Sequence, residues 1–259
     1  MLFINTRPQD RAEKLSRALS MAQVNVLNLP LLELTARPWS ETLSTLYQQL
    51  PTAQVIVAVS PTAVKMGMAY LEQASLSLAV LQHIHWIAVG ETTAQALAEY
   101  GITAEVPQVE TSEGMLQLPA LKTIPSGTCI AFWRGEGGRL FMMDQLLQQG
   151  IKILNFVLYE RRCPLHTQQN FPQTLSMLAQ EPQYTMVVSS EASWLNWLQL
   201  MQQQEQLIAK GHYLVLGERL YQVVSDYKKN QNACFNVTRL PDLKIDSILQ
   251  QIMVVQGKT

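Results

Sequence analysis

The sequence repeats itself at a fixed distance, and this repeat limits the folds that the chain can adopt. Arg7 falls over Arg134 at an offset of 127 residues, which is 134 minus 7. The same offset aligns Leu2–Asn5 with Cys129–Phe132, Glu33 with Glu160, and Gly90 with Gly217. Ser60 aligns with Ser190 once three extra residues are allowed. The chain therefore has the order A-B-A′-B′, in which A is 1–34, B about 39–118, A′ 129–162 and B′ the remainder.

Short, mainly apolar runs alternate with stretches of helical periodicity along the chain. Examples are Val55–Val59, Ile84–Val89 and Thr185–Val188, each followed by serine or glycine and then a helical pattern. Strands that are apolar throughout are typical of parallel sheets covered by helices on both faces. A length of 259 residues suits two domains, so we predict an α/β protein with two similar parallel-sheet domains.

The repeat allows two ways of building these domains. A could fold with B and A′ with B′, which would give tandem domains that divide near 119–126. Alternatively, the extended segments 31–35 and 156–162 both cross between domains, so that A joins B′ and A′ joins B. Each segment is longer than a simple sheet strand needs and ends in charged residues, which favours the crossed arrangement mildly.

The middle of the chain contains a glycine-rich turn between a predicted strand and a predicted helix. The apolar run Cys129–Trp133 ends in Arg134, and Gly135, Gly137 and Gly138 follow before helical periodicity begins at Leu140. Glycines let an anion approach the backbone, and the first N–H groups of a helix lack partners, so the turn could bind an anion. Glycine is also common in any turn between a strand and a helix, and the local sequence leaves both interpretations open.

Charge and cysteine content narrow the function classes. Lys and Arg number 19 and Asp and Glu 20, for a net charge of −1, which argues against a general nucleic-acid binder. The three cysteines follow no metal-binding or disulfide pattern, which suits a reducing compartment. No apolar run approaches the ~20 residues that span a bilayer, and the N-terminal residues lack the pattern of a signal peptide. We therefore expect a cytoplasmic protein.

Six short motifs occur together in an order and spacing that are more specific than any one of them. They are Asn5–Pro8, Ser60–Val64, Ala88–Ala94, Ser112–Gly114, Arg134–Arg139 and Val157–Arg161. With these motifs the chain resembles the uroporphyrinogen-III synthase family over essentially its whole length. The resemblance implies two flavodoxin-like domains joined by a two-stranded crossing linker. It assigns 1–34 with 163–259 to domain 1 and 35–162 to domain 2, and it implies an active-site cleft between them.

The resemblance also implies a reaction. Family members cyclise hydroxymethylbilane, a linear tetrapyrrole with eight carboxylates, to uroporphyrinogen III in haem biosynthesis. Water is lost, and ring D is inverted through a spiro intermediate, without a metal or other cofactor. The expected partner is this small-molecule substrate, with a transient contact to the preceding enzyme, hydroxymethylbilane synthase. Binding to nucleic acid or membrane is not expected, and the expected state is a monomer.

Tyr159 is the predicted catalytic residue, because it matches the family's tyrosine and lies near the end of a predicted crossing strand. A phenol is protonated at neutral pH and could act as general acid towards the departing hydroxyl. The alternative is a tyrosine whose ring only packs between domains. A chain of net charge −1 cannot hold eight carboxylates by bulk attraction, so the substrate needs local donors at strand ends. The predicted substrate-binding residues are Arg7, Ser60, Thr62, Gly90, Thr93, Arg134, Gly137, Arg139, Ser190 and Gly217.

Several of these residues have a structural alternative. The hydroxyls of Ser60, Thr93 and Ser190 stand where helix caps are expected, and capping does not exclude binding. Arg7 and Arg134 could instead form salt bridges with Glu33, Glu160 or another acid. The turn at Gly217 departs from the family's pattern, because Leu220 stands where a threonine is usual. A contact there would have to come from backbone N–H groups or from Arg219.

Two other functions fit parts of the sequence. A nucleotide-binding oxidoreductase is suggested by Gly135-x-Gly137-Gly138, but the G-x-G-x-x-G spacing fails because Leu140 occupies the position of the last glycine. A non-catalytic two-domain small-ligand-binding protein would have a similar layout, but such proteins are typically exported. The four histidines are dispersed and are not predicted to bind a metal.

Overall fold

Strands and helices alternate along the chain in the computed structural model, which describes residues 1–137 and 140–255. The strands are β1 (Leu2–Asn5), β2 (Asn25–Asn28), β3 (Glu33–Ala36), β4 (Val55–Ala58), β5 (His85–Ala88), β6 (Cys129–Gly135), β7 (Lys152–Arg162), β8 (Tyr184–Val188), β9 (Gly211–Leu216) and β10 (Asn236–Leu240). The helices are α1 (Gln9–Met21), α2 (Glu41–Gln49), α3 (Pro61–Gln73), α4 (Glu91–Ala98), α5 (Ser112–Met115), α6 (Pro119–Lys122), α7 (Phe141–Gln148), α8 (Leu165–Gln180), α9 (Glu191–Leu200), α10 (Glu205–Ala209), α11 (Gly217–Asn230) and α12 (Ile245–Val255). Short 3-10 helices lie at Leu50–Thr52 and Leu78–Leu81.

The chain forms two compact units, each built on its own sheet. The first unit contains residues 1–33 and the chain from 162 onward, and the second contains 34–161. The chain therefore passes from one unit to the other twice, at the start of β3 and at the end of β7.

The sheet of the first unit has the order β2-β1-β8-β9-β10, and its neighbouring strands are parallel. Counted along the chain of this unit, that order is 2-1-3-4-5, which is the flavodoxin-like arrangement. The sheet of the second unit has the order β3-β7-β6-β4-β5, with parallel pairs from β7 to β5. Glu105 adds a parallel bridge to Ile87 of β5. The predicted α/β class with parallel sheets is confirmed.

The sequence repeat has the same strand register in both sheets. Leu2 pairs with Asn25 where β1 meets β2, and Cys129 pairs with Lys152 where β6 meets β7. Both members of the second pair lie 127 residues beyond their counterparts in the first. A shift by one residue would turn every side chain to the other face, so equal registers place equivalent side chains in equivalent layers.

Each sheet is buried on both faces, as the unbroken apolar runs predict. Along β4, the side chain of Ile56 belongs to one core cluster, while those of Val55 and Val57 belong to another. Along β1, Ile4 and Phe3 likewise belong to different clusters. At ~25 cal/mol per Å² of apolar surface, burial on two faces is the main stabilising term for such a sheet.

Two further short runs, 104–106 and 234–237, also predict strands from the sequence, and the structure differs from both predictions. The strand expected at 104–106 is reduced to the single bridge at Glu105. The last strand starts at Asn236 rather than Cys234 and continues to Leu240 rather than ending at Val237. Phe235, just before it, packs beside Tyr213 with ring centroids 4.8 Å apart.

Two histidines at equivalent repeat positions, His85 and His212, each contact a side chain on the segment next to their strand at the edge of the sheet. His212 Nε2 lies 2.8 Å from the Thr238 hydroxyl of β10, and His85 Nε2 lies 2.7 Å from the Glu105 carboxylate. Burial lowers the pKa of His212 below its ordinary value, because the charged imidazolium is poorly solvated there.

This lowered pKa predicts a loss of stability on acidification. The unfolded chain takes up a proton at His212 more readily than the folded one, so the free energy of unfolding should fall as the pH drops through ~6.5, the ordinary histidine pKa. His212→Gln removes the titration and should flatten this part of the profile. Urea unfolding between pH 8 and pH 5 measures it. Parallel profiles for the variant and the native protein would contradict the prediction.

Candidate active site

Tyr159 and Ser60 meet at the carboxyl ends of the strands of the second unit. The Tyr159 side chain is 2% exposed, and its hydroxyl lies 3.0 Å from Ser60 Oγ. Ser60 is the N-cap of α3, and its Oγ accepts a hydrogen bond of 3.1 Å from the Ala63 N–H. The hydroxyl of Ser60 therefore serves as a helix cap and as a partner of the phenol at the same time.

The strand order explains why residues 99 positions apart in the sequence come together. Trp133 of β6 pairs with Ala58 of β4 on one side and with Phe156 of β7 on the other. Ser60 and Tyr159 each follow these partners by a few residues, so both lie at the same edge of the sheet. Pro61 at the first helical position turns the chain into α3 immediately after Ser60.

Arg134 is a largely buried cation at the end of β6. Its side chain is 6% exposed, and its Nη1 lies 3.8 Å from the sulfur of Met143 on α7. Burial lowers the pKa of its guanidinium; the nearby Tyr159 opposes this shift, and the charge of Arg161 reinforces it. Arginine stays charged even so, and a desolvated guanidinium attracts carboxylates more strongly than a solvated one.

The first turn of α4, where Gly90 and Thr93 were predicted to bind a substrate carboxylate, already holds a carboxylate of the chain. Glu110 Oε1 accepts a hydrogen bond of 2.9 Å from the Glu91 N–H. A Cβ atom on Gly90 would lie 2.4 Å from the carboxyl carbon of Glu110, so a side chain at 90 would require this carboxylate to shift. Thr93 is 1% exposed. The sequence contains no signal for Glu110, which lies 19 residues from its partner.

The candidate residues of the first unit lie at strand ends of their own sheet. Ser190 caps α9 in a capping box with Ser193, so its predicted capping role is present. Gly217 begins α11 with a φ of +70°, a left-handed conformation that favours glycine. Leu220 is buried in the core, which agrees with its exclusion from the site. Arg219 Nη2 is 3.0 Å from Glu191 Oε2 on the first turn of α9.

The remaining predicted residues have different surroundings. Arg7 is half-buried, and its backbone N–H donates a hydrogen bond of 3.4 Å to Asn5 Oδ1. Glu33, one of the acids considered as an alternative partner of Arg7, instead accepts a hydrogen bond of 2.8 Å from Arg162 Nε at its Oε1. Thr62 is a half-buried residue of the first turn of α3, and Gly137 is exposed with a φ of +70°. Arg139 lies outside the described residues.

Two concave regions within the units are not lined by predicted site residues. The first, of about 680 Å³, is lined by Ala12, Glu13, Ser16, Arg17, Ser20, Asn28, Pro30 and His166. The second, of about 410 Å³, is lined by Leu78, Ala79, Leu81, Gln82, Ile84, Trp86, Tyr100, Gly101, Ile102 and Thr103.

Residues 1–137 and 140–255 contain neither a cluster of metal-binding side chains nor a membrane-spanning helix. In these segments, His, Cys, Asp and Glu side chains nowhere gather in a group of three or more that could hold a metal ion. No helix in the same segments is both long and apolar enough to cross a membrane.

Comparison with known proteins supports a single family. The family model described as uroporphyrinogen-III synthase HemD matches residues 13–234. This match covers most of the chain and both units.

Solved structures with a similar fold belong to the same family. A mutant uroporphyrinogen III synthase from Thermus thermophilus has 14% identity and a TM-score of 0.63, with 100% of both chains covered. The wild-type protein of that organism has 15% identity and a TM-score of 0.51, covering 100% of this chain and 98% of the other. A uroporphyrinogen-III synthetase from Helicobacter pylori has 15% identity and a TM-score of 0.57, with 98% of both chains covered. At these identities the likeness shows a shared fold.

Proposed function

The chain belongs to the uroporphyrinogen-III synthase family, whose members are cyclising lyases of tetrapyrrole biosynthesis, and we propose that Tyr159 carries the acid step of its reaction. The observation that supports this role is the Tyr159–Ser60 hydroxyl pair at the carboxyl edge of the sheet. In open α/β sheets, ligands bind beyond this edge.

The reaction requires one proton donor. The phenol gives its proton to the terminal hydroxyl of hydroxymethylbilane, the C–O bond breaks and water leaves. The resulting azafulvene is attacked by ring D, and the spiro intermediate opens and recloses with that ring inverted. The proton released as the last pyrrole regains aromaticity restores the phenol, so that water is the only other product. Ser60 accepts or donates towards the phenol oxygen and keeps the hydroxyl near one orientation.

Holding the substrate is the larger part of the task. Hydroxymethylbilane also closes without the enzyme and without inversion, so the enzyme must hold the conformer that leads to inversion. The proposed carboxylate donors are the residues predicted from the sequence: Arg7, Ser60, Thr62, Gly90, Thr93, Arg134, Gly137, Arg139, Ser190 and Gly217. In this proposal a substrate carboxylate replaces that of Glu110 at the first turn of α4, because both need the same N–H group.

The setting of the reaction is part of the same proposal. The instability of the linear substrate favours a transient contact with hydroxymethylbilane synthase, which shortens the time spent free in solution. The scattered, unpaired cysteines Cys129, Cys163 and Cys234 fit the reducing cytoplasm. We take the working unit to be a monomer.

The isomer ratio of the product tests the activity. With freshly generated hydroxymethylbilane, the protein should yield mainly uroporphyrinogen III, while the buffer control yields isomer I. Oxidation to the porphyrins and chromatographic separation measure the ratio. Isomer I alone in the presence of folded protein would exclude the activity.

Tyr159→Phe tests the acid step. The variant should form isomer III more slowly, by up to about 10²-fold, the lower end of the range for general acid catalysis. The ring and the Ser60 cap remain, so unfolding should change by only about 1 kcal/mol. Single-turnover rates and denaturant unfolding measure the two quantities. An unchanged rate would remove Tyr159 from the mechanism.

Glu110→Gln tests the competition at α4. Removing the internal carboxylate should lower KM about two- to fivefold, because a carboxylate at a helix N-terminus is worth ~0.3–1 kcal/mol. Glu91→Gln removes an equal charge from the same turn while leaving the Glu110 carboxylate on the N–H group, and it serves as the matched control. An equal fall of KM in both variants would indicate long-range electrostatics. A loss of stability with unchanged KM would make Glu110 a structural cap only.

A further inference from the structure

The end of β6 is shaped around the ring of Tyr159. The register between β6 and β7 runs residue by residue to the pair Arg134 and Val157, and then skips Leu158 so that Gly135 pairs with Tyr159. A Cβ atom on Gly135 would lie 2.4 Å from both Cε2 and Cζ of the ring and 2.9 Å from its hydroxyl oxygen. The ring therefore rests directly on the backbone of Gly135, and any side chain at 135 would displace it.

Arg161 contacts both the Tyr159 ring and Glu136, the residue that follows Gly135. The Glu136 N–H donates a hydrogen bond of 2.7 Å to the Tyr159 carbonyl oxygen. Arg161 Nη1 donates one of 2.7 Å to the Glu136 carbonyl oxygen, and the guanidinium carbon lies 5.5 Å from the centroid of the Tyr159 ring. A guanidinium at this distance from an aromatic ring gains a cation–π interaction, so Arg161 holds both the ring and the segment beneath it.

The first copy of the repeat lacks this arrangement. At the offset of 127 residues, Gly135 corresponds to Pro8, Tyr159 to Leu32 and Arg161 to Leu34. The two sheets nevertheless share their strand registers. The fold by itself therefore does not require the glycine, the phenol and the guanidinium, and their joint presence in one copy points to a function there.

We propose that Arg161 and Gly135 are positioning residues for Tyr159, which orient its phenol hydroxyl for proton donation to the substrate. This inference rests on the proposed catalytic role of Tyr159. The hydrogen bond with Ser60 involves only the hydroxyl and does not by itself fix the plane of the ring. Gly135 and Arg161 act on the ring itself and restrict this tilt, which keeps the donor in the geometry that general acid catalysis needs.

A double-mutant cycle between Arg161 and Tyr159 tests the proposal. Arg161→Met keeps most of the side-chain length but loses the charge and the N–H donors. We expect it to lower kcat for isomer III about tenfold with KM unchanged, and Arg161→Lys should restore most of the rate. In the Tyr159→Phe background, Arg161→Met should cause no further loss, because the group that it positions no longer donates.

Arg17→Met is the matched control, since Arg17 is an exposed arginine of α1 and the same substitution there removes a charge and its contact with Glu13. It should leave kcat and KM as they are. Far-UV circular dichroism and urea unfolding verify that each variant is folded.

The possible outcomes separate this inference from the proposed function. If Tyr159→Phe is slow but Arg161→Met has the native rate, the positioning role is overturned while the acid role is retained. An equal loss from Arg161→Met with and without the phenol hydroxyl would show that Arg161 acts on the substrate directly, which also overturns it. A native rate in Tyr159→Phe would overturn the acid role, and the positioning role with it.

Gly135→Ala offers a second, steric test. The added methyl must push the ring away, so kcat should fall as in Arg161→Met, and unfolding should need less urea. In a Tyr159→Ala background the ring is gone, and the same methyl should cost little stability. A destabilisation of equal size in both backgrounds would place the cause in the backbone at 135 and would contradict the proposed contact.

Discussion

The parallel pairing of β6 with β7 is the interaction on which the candidate site depends. It is continuous from Cys129 to Arg134 and breaks register only where Gly135 meets Tyr159. The regular part is held by apolar burial on both faces, so the irregularity is confined to the carboxyl end of the pair. A single skipped residue brings the phenol over the glycine and within reach of Ser60.

Helix N-termini in this protein are capped by groups of the chain itself, through the same physics that proposed anion binding there would use. The hydroxyls of Ser60 and Ser190 and the carboxylate of Glu110 all accept N–H groups that a helix leaves without partners. A chain of net charge −1 has no general attraction for a polyanion, and local donors of this kind remain available to it. Where the chain's own group is a carboxylate, as at α4, binding of an anion becomes an exchange of one carboxylate for another.

The repeat and the apolar runs were enough to predict most of the fold. They predicted parallel sheets, buried strands and two related halves, because these features follow from local hydrophobic patterns and from equal spacing. The same reasoning missed Glu110 and Arg161. A carboxylate 19 residues from its N–H donor and an arginine that reaches back across a ring have no local pattern. Motif order singled out Tyr159 and Ser60, but no spacing in the sequence pointed to their contact.

The sequence by itself therefore determined the class of the sheets, the equivalence of the two halves and the set of polar residues at strand ends. These properties depend on periodicity and composition, which short segments carry on their own. Only the tertiary structure decided which of those residues share hydrogen bonds. The reason is that strand order and register, rather than distance along the chain, set which strand ends are neighbours. The register skip at Gly135, which sets the position of the Tyr159 ring, is likewise visible only in the tertiary structure.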